Sequence, residues 1–254
     1  MSILKLEGVS RSFGGVRAVE EASFAVARGQ LFGIIGPNGA GKTTLLNLIS
    51  GLISPDAGRI TLNGNDTTKQ APETIARHGL ARTYQTIRLF DTMSVRENVM
   101  VGGHSGLSYS LWSALLRHKS FKQDESALSA RVDSLLNTVG LSDRADDPAA
   151  SLSYGEQRRL EVARALAAQP AILMLDEPAA GMNTREAESL SNLLRKLVDT
   201  TGLTVVIIEH NVRMMMELCD RIVVMNFGRK LKEGSPAEVR NDPSVIEAYL
   251  GRPA

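Results

Sequence analysis

The run Gly36-Pro37-Asn38-Gly39-Ala40-Gly41-Lys42-Thr43-Thr44 constrains this chain more than any other segment. It fits the pattern G-x-x-x-x-G-K-[ST] and lies between the apolar run Gly33–Ile35 and a helix-like stretch, Lys42–Ser50. The glycines let backbone N–H groups converge on phosphate oxygens without Cβ clashes, and a helix amino terminus adds its positive dipole end. Lys42 supplies a compact positive charge for β- and γ-phosphates, and Thr43 offers a hydroxyl to Mg²⁺. The bare pattern arises by chance in roughly one chain in a hundred of this length, and the strand–loop–helix context makes it rarer. A loop of this kind requires a strand feeding directly into a helix, so the core is expected to be α/β.

Further apolar runs agree. Ile172–Leu175 and Leu203–Ile208 read as buried parallel strands, and Thr184–Val198 and Val212–Leu218 as the crossover helices that such a sheet needs. Alternation over Met1–Gly8 indicates a strand. Between about residues 86 and 162 strand signals fade, and Val95–Met100, Ala127–Val139 and Glu156–Ala168 carry amphipathic helical spacing. Gly102–Asp124 is the least readable segment; its Leu111, Trp112, Leu115 and Leu116 stand at helical spacing, with Trp112 read as packing. Arg229–Gly234 suggests a hairpin edge, and Pro236–Leu250 two short helices, the second capped at Asp242-Pro243. No internal repeat or long linker appears. The expectation is one domain over 1–254, with core segments 1–85 and 162–235, an inserted helical subdomain over 86–161 and a helical extension over 236–254.

A hydrophobic fraction of 43% and a charged fraction of 22% in 254 residues allow a sizeable core and argue against disorder. The formal net charge of +1 gives no global attraction for nucleic acid, so any phosphate binding must be local. Cys219 is the single cysteine, which excludes an intramolecular disulfide and fits a small core residue. No window approaches the ~20 apolar residues that span a bilayer, and the amino terminus lacks a signal-peptide apolar stretch, so membrane association is expected through a partner.

The strand Ile172–Leu175 ends in Asp176-Glu177, at the carboxyl edge where α/β sheets bind ligands. Asp176 is suited to holding a magnesium hydration shell, and Glu177 to orienting or deprotonating the water that attacks a γ-phosphate. Taken alone, the pair also suits the acidic first turn of the next helix. The phosphate loop upstream favours the catalytic assignment.

Leu152-Ser153-Tyr154-Gly155-Glu156-Gln157 resembles the signature segment of ABC ATPases, usually LSGGQ, with Tyr154 and Glu156 as variants. The resemblance covers nearly the whole chain. Gln85 matches the Q-loop, Pro178–Asn183 the D-loop and His210 the switch histidine, in the family's order. It implies an ABC ATPase fold: a P-loop (RecA-like) core with a mostly parallel sheet, an antiparallel β edge and an inserted α-helical subdomain. It further implies that Glu177, His210, Gln85 and Lys42 are catalytic and that Thr43, Gln85 and Asp176 attend Mg²⁺. ATP is then held by Phe13 and residues 36–44 of one subunit, with Ser153, Gly155 and Glu156 serving the nucleotide of the opposite subunit. Local sequence equally allows Phe13 a core role and Ser153 an ordinary N-cap role. Asn183 replaces the usual D-loop aspartate, which suggests amide hydrogen bonds between subunits in place of charge.

Finer segments, Gly79–Gln85, Leu152–Arg159, Pro178–Asn183 and Val245–Gly251, resemble ATP-binding subunits of branched-chain amino acid importers of the LivG type. The resemblance implies permease subunits, a second ATPase subunit, an external binding protein reached indirectly, and a peripheral position on the cytoplasmic face of the inner membrane. Residues 85–97, with Arg88, Leu89 and Phe90, are the candidate permease-docking stretch, lobe packing being the alternative. The competing functions are an ABC ATPase of a urea, lipopolysaccharide or other transporter, and a soluble ABC ATPase outside transport. A non-hydrolysing switch would lack Lys42, Glu177 or His210, and all three are present.

Overall fold

In the computed structural model of the chain, residues 2–104 and 119–250 are described. Residues 105–118, including Leu111, Trp112, Leu115 and Leu116, lie outside the described residues. The chain forms two compact units, one of residues 1–85 and 171–254 and the other of residues 86–170.

The first unit holds two sheets. Strands β1 (Ser2–Phe13), β2 (Val16–Ala27), β4 (Ala57–Leu62) and β5 (Asn65–Asp66) form an antiparallel sheet in the order β2-β1-β4-β5. The second sheet contains β3 (Leu31–Ile35), β6 (Leu80–Arg82), β7 (Ile172–Asp176), β8 (Thr204–Ile208), β9 (Arg221–Asn226) and β10 (Arg229–Gly234). Its order is β10-β9-β3-β8-β7-β6, parallel throughout except for the edge hairpin β9–β10. Every residue of β3, β7 and β8 is buried, as strands covered on both faces require.

Apolar side chains from both sheets make one core, in which the Phe24 and Phe32 rings stack with centroids 5.5 Å apart. β2 escapes a simple alternation count because Glu21 takes φ 49° and the β1–β2 register shifts there, so buried Val19 falls out of phase with buried Ala22, Phe24 and Val26. Helices α1 (Lys42–Ile49) and α2 (Pro72–Arg77) precede β6; α6 (Thr184–Thr201) and α7 (Val212–Leu218) follow β7 and β8; α8 (Pro236–Arg240) and α9 (Pro243–Leu250) close the described chain.

The second unit is helical: α3 (Val95–His104), α4 (Lys119–Val139) and α5 (Tyr154–Ala167), with 3₁₀ turns at Ser142–Arg144 and Ala149–Ser151. The sequence places the return to the core at residue 162. The unit instead runs to Pro170, because α5 continues unbroken through Val162, Ala163 and Leu166, all of them buried.

Candidate functional site

β3 runs out of the sheet at Ile35, and the loop that follows is shaped by two glycines that no other residue could replace. Gly36 has φ 155°, and a Cβ there would lie 2.2 Å from Met225 O; Gly41 has φ 95°, and a Cβ would lie 2.2 Å from Ala18 O. The loop is therefore clamped between β9 and β2. A Gly228 N–H bond to Ala40 O (3.1 Å) adds a tie from the β9–β10 turn. Asn38 through Thr44 line a groove of about 450 Å³, joined by Glu177, His210, Val16 and Phe227.

Lys42 is buried and donates to Gly36 O (2.7 Å) and Pro37 O (3.0 Å). Burial pulls its ammonium below the usual lysine range, while the carboxylates of Glu177 and Asp176 pull it back up. Thr43 and Thr44 enter the groove from the first turn of α1, whose N-cap is the left-handed Gly41. Phe13 pairs with Val16 across the β1–β2 turn. Its half-exposed ring carries the Arg11 guanidinium 4.9 Å from its centroid, while Val16 and Phe227 supply the apolar surface of the groove wall.

At the end of β7, Asp176 and Glu177 diverge. Asp176 accepts from Arg82 Nη2 at 3.0 Å, with side-chain exposures of 6% and 7%. The same guanidinium reaches Asn47 Oδ1 on α1 and Ser50 Oγ at its C-cap, each at 2.8 Å, and so ties the phosphate-loop helix to β6 and β7. Glu177 turns into the groove by adopting φ 48°, a left-handed conformation that costs a residue with a Cβ about 1–3 kcal/mol. Its Oε2 accepts from Gln85 Nε2 (2.8 Å), and its Oε1 lies 2.6 Å from His210 Nε2. Gln85, Glu177 and His210, far apart in sequence, thus form one cluster facing Lys42.

The oxygen donors expected around Mg²⁺, Thr43 hydroxyl, Gln85 amide and Asp176 carboxylate, suit a hard cation.

In the helical unit, Ser153 and Glu156 form a capping box at the start of α5. The Ser153 N–H and hydroxyl both meet Glu156 Oε2 at 2.8 Å, and Ser153 Oγ accepts from the Glu156 N–H at 3.4 Å. These bonds hold the Glu156 carboxyl below its usual range. Gly155 is buried and Tyr154 exposed. Asn183 is likewise a cap: its Oδ1 accepts from Glu186 N (3.0 Å) and its N–H meets Glu186 Oε2 (3.0 Å) at the start of α6.

Arg82 and Glu209 take part in this site, though neither belongs to a motif residue set expected from the sequence. Arg82 carries a signal in hindsight, a lone cation in a short strand beside a buried run. Glu209 ends an apolar run and reads merely as the strand's stop.

A phosphate cradle at a strand–helix junction, facing a carboxylate, an amide and an imidazole at the carboxyl edge of a parallel sheet, defines a P-loop nucleoside triphosphatase. The sequence matches the ABC transporter family over residues 19–180, and residues 229–254 match the branched-chain amino acid ATP-binding cassette transporter family. It is 42% identical over 249 residues to the high-affinity branched-chain amino acid transport ATP-binding protein LivG of Salmonella typhimurium, covering 98% of each chain. It is 41% identical, with the same coverage, to BraF of Pseudomonas aeruginosa, which bears the same description. The crystal structure of the ADP conformation of MJ1267, an ATP-binding cassette of an ABC transporter, superposes with a TM-score of 0.85 at 32% identity, covering 99% of this chain and all of that one. The chain belongs to the ATP-binding subunits of ABC transporters, and its activity is ATP hydrolysis coupled to transport. No helix among the described residues is long and apolar enough to cross a membrane.

Proposed function

We propose that this chain powers a branched-chain amino acid importer, as one of two ATPase subunits bound to transmembrane permease subunits on the cytoplasmic side of the membrane. The observation that carries the proposal is the Gln85–Glu177–His210 cluster facing the loop of residues 36–44, on a chain whose carboxyl end matches the branched-chain amino acid cassette family. In this scheme the loop N–H groups and Lys42 take the phosphates of ATP, and Val16 and Phe227 offer apolar surface beside them. Thr43, Asp176 and Gln85 would hold Mg²⁺, which would supply positive charge against the phosphate oxygens. Glu177 orients the attacking water and accepts its proton. His210, donating from Nε2, and Gln85, donating from Nε2, fix the two carboxylate oxygens. Ser153 and Gly155 of a second subunit complete the site across the dimer, with the Glu156 carboxylate holding that helix start in shape.

Residues 85–97 carry motion to the permease. Phe90 is exposed, with the Arg164 guanidinium 5.9 Å from its ring centroid, and Arg88 is exposed beside it. The test is leucine uptake in cells lacking their own cassette. The wild-type chain should restore uptake when expressed with its cognate permease and binding protein, and Arg88→Ala/Phe90→Ala should lower uptake while purified ATPase activity stays within about twofold of wild type. Equal loss of uptake and ATPase activity would refute the docking assignment. Uptake restored for urea but not leucine would refute the substrate.

A further inference from the structure

Glu209 follows β8 directly and is 4% exposed, yet no role in hydrolysis has been given to it. Its two carboxylate oxygens reach different loops. Oε1 accepts the Ala179 N–H at 2.6 Å, inside the loop that follows Glu177, and Oε2 accepts the His210 N–H at 3.1 Å. One bond away, the Glu177 N–H donates to Ile208 O at 2.9 Å. The end of β8 therefore grips the loop after β7 on both sides of Glu177, by a main-chain carbonyl before it and a side-chain carboxylate beyond it.

That grip matters because Glu177 is held at φ 48°, and a strained conformation persists only where its surroundings over-determine it. A buried carboxyl is an expensive clamp. Burial drives Glu209 above the usual carboxylate range, and the backbone N–H groups of Ala179, His210 and Asn211 pull it back down. A fold that needed only to close a strand would end it with a residue of lower cost.

We propose that Glu209 is a positioning residue of the hydrolytic site, whose carboxylate locks the loop of residues 177–183 to the His210 turn and thereby sets the 2.6 Å Glu177–His210 pair. This rests on the hydrolytic roles given to Glu177 and His210 above. It extends them: a displacement of residues 178–183 is passed to His210 through Glu209 within one subunit. Because Ala180 N bonds to Glu177 O (3.1 Å) and Met182 N to Ala179 O (3.1 Å), the loop moves as a stiff unit.

Glu209→Gln tests this with little change of volume. The carboxamide keeps one acceptor and turns an N–H₂ toward the other backbone N–H, so one tether is lost. In the full-length protein, kcat should fall on the order of tenfold or more, while KM for ATP stays within about twofold. In ¹H–¹³C spectra of imidazole-labelled protein, the His210 signal should move and that of His78, on α2's carboxyl end, should stay. A catalytically unchanged variant overturns the proposal. So does a loss of kcat, KM and melting temperature together with an unmoved His210 signal, which marks a purely structural acid. If Glu209→Gln does not fold, Glu209→Asp, which keeps the charge but withdraws it by one methylene, is read by the same observables. Wild-type protein without ATPase activity that Glu177→Gln abolishes removes the hydrolytic roles themselves, and the proposal with them.

Discussion

Replacing Arg82 by Met leaves Asp176 a lone carboxylate at a position where its side chain is 7% exposed. Breaking a buried ion pair from one side typically costs about 3–5 kcal/mol, because the remaining charge keeps its desolvation penalty without its partner. Arg82 also bonds Asn47 and Ser50, so Arg82→Met should lower unfolding free energy in urea by at least about 3 kcal/mol. Arg82→Lys should recover only part of this, since an ammonium cannot reproduce the fork. Cys219 gives a second residue-level prediction. Burial pushes its thiol up to about 12, against 9.0 for the unperturbed group. The folded chain therefore holds this proton more tightly than the unfolded chain. The resulting stabilisation is complete below pH 9.0 and is lost as pH rises through about 12. Alkylation by iodoacetamide at pH 8 should be far slower in native protein than in urea, and equal rates would contradict the burial. The phosphate loop was legible because its residues are contiguous and its chemistry is local. Arg82 and Glu209 were not, because their partners stand 94 and 30 residues away and only the sheet brings them together.

At the scale of elements, several helix boundaries follow from capping chemistry visible in the sequence. Asn183 with Glu186, Ser153 with Glu156 and Ser235 with Glu238 each form a complete capping box. Asn183 stands where the family usually has aspartate, and both residues cap well. Asn183→Asp should leave stability within about 0.5 kcal/mol and Asn183→Ala should cost about 1 kcal/mol, measured by denaturant unfolding. A larger effect of Asn183→Asp would show that the amide does more than cap α6. Buried strands declared themselves as apolar runs, whereas β1 and β2 were harder. Left-handed Gly8 and Glu21 shift their registers, so the buried residues of each strand change parity partway along. The helical unit runs past the expected limit at residue 161 to Pro170, because the helix expected over Glu156–Ala168 belongs to it as a whole.

For the whole molecule, the central claim of the proposed function is that hydrolysis requires two subunits, with Ser153 and Gly155 of one proposed to serve the nucleotide held by the phosphate loop of the other. The most direct test is Mg²⁺-dependent ATP hydrolysis measured against protein concentration, for wild type and Glu177→Gln, with oligomeric mass recorded in ATP. Activity should rise more steeply than linearly with protein, and Glu177→Gln should be inactive yet dimeric in ATP. Activity linear in protein, unchanged by Glu177→Gln and without an ATP-dependent dimer would contradict the account.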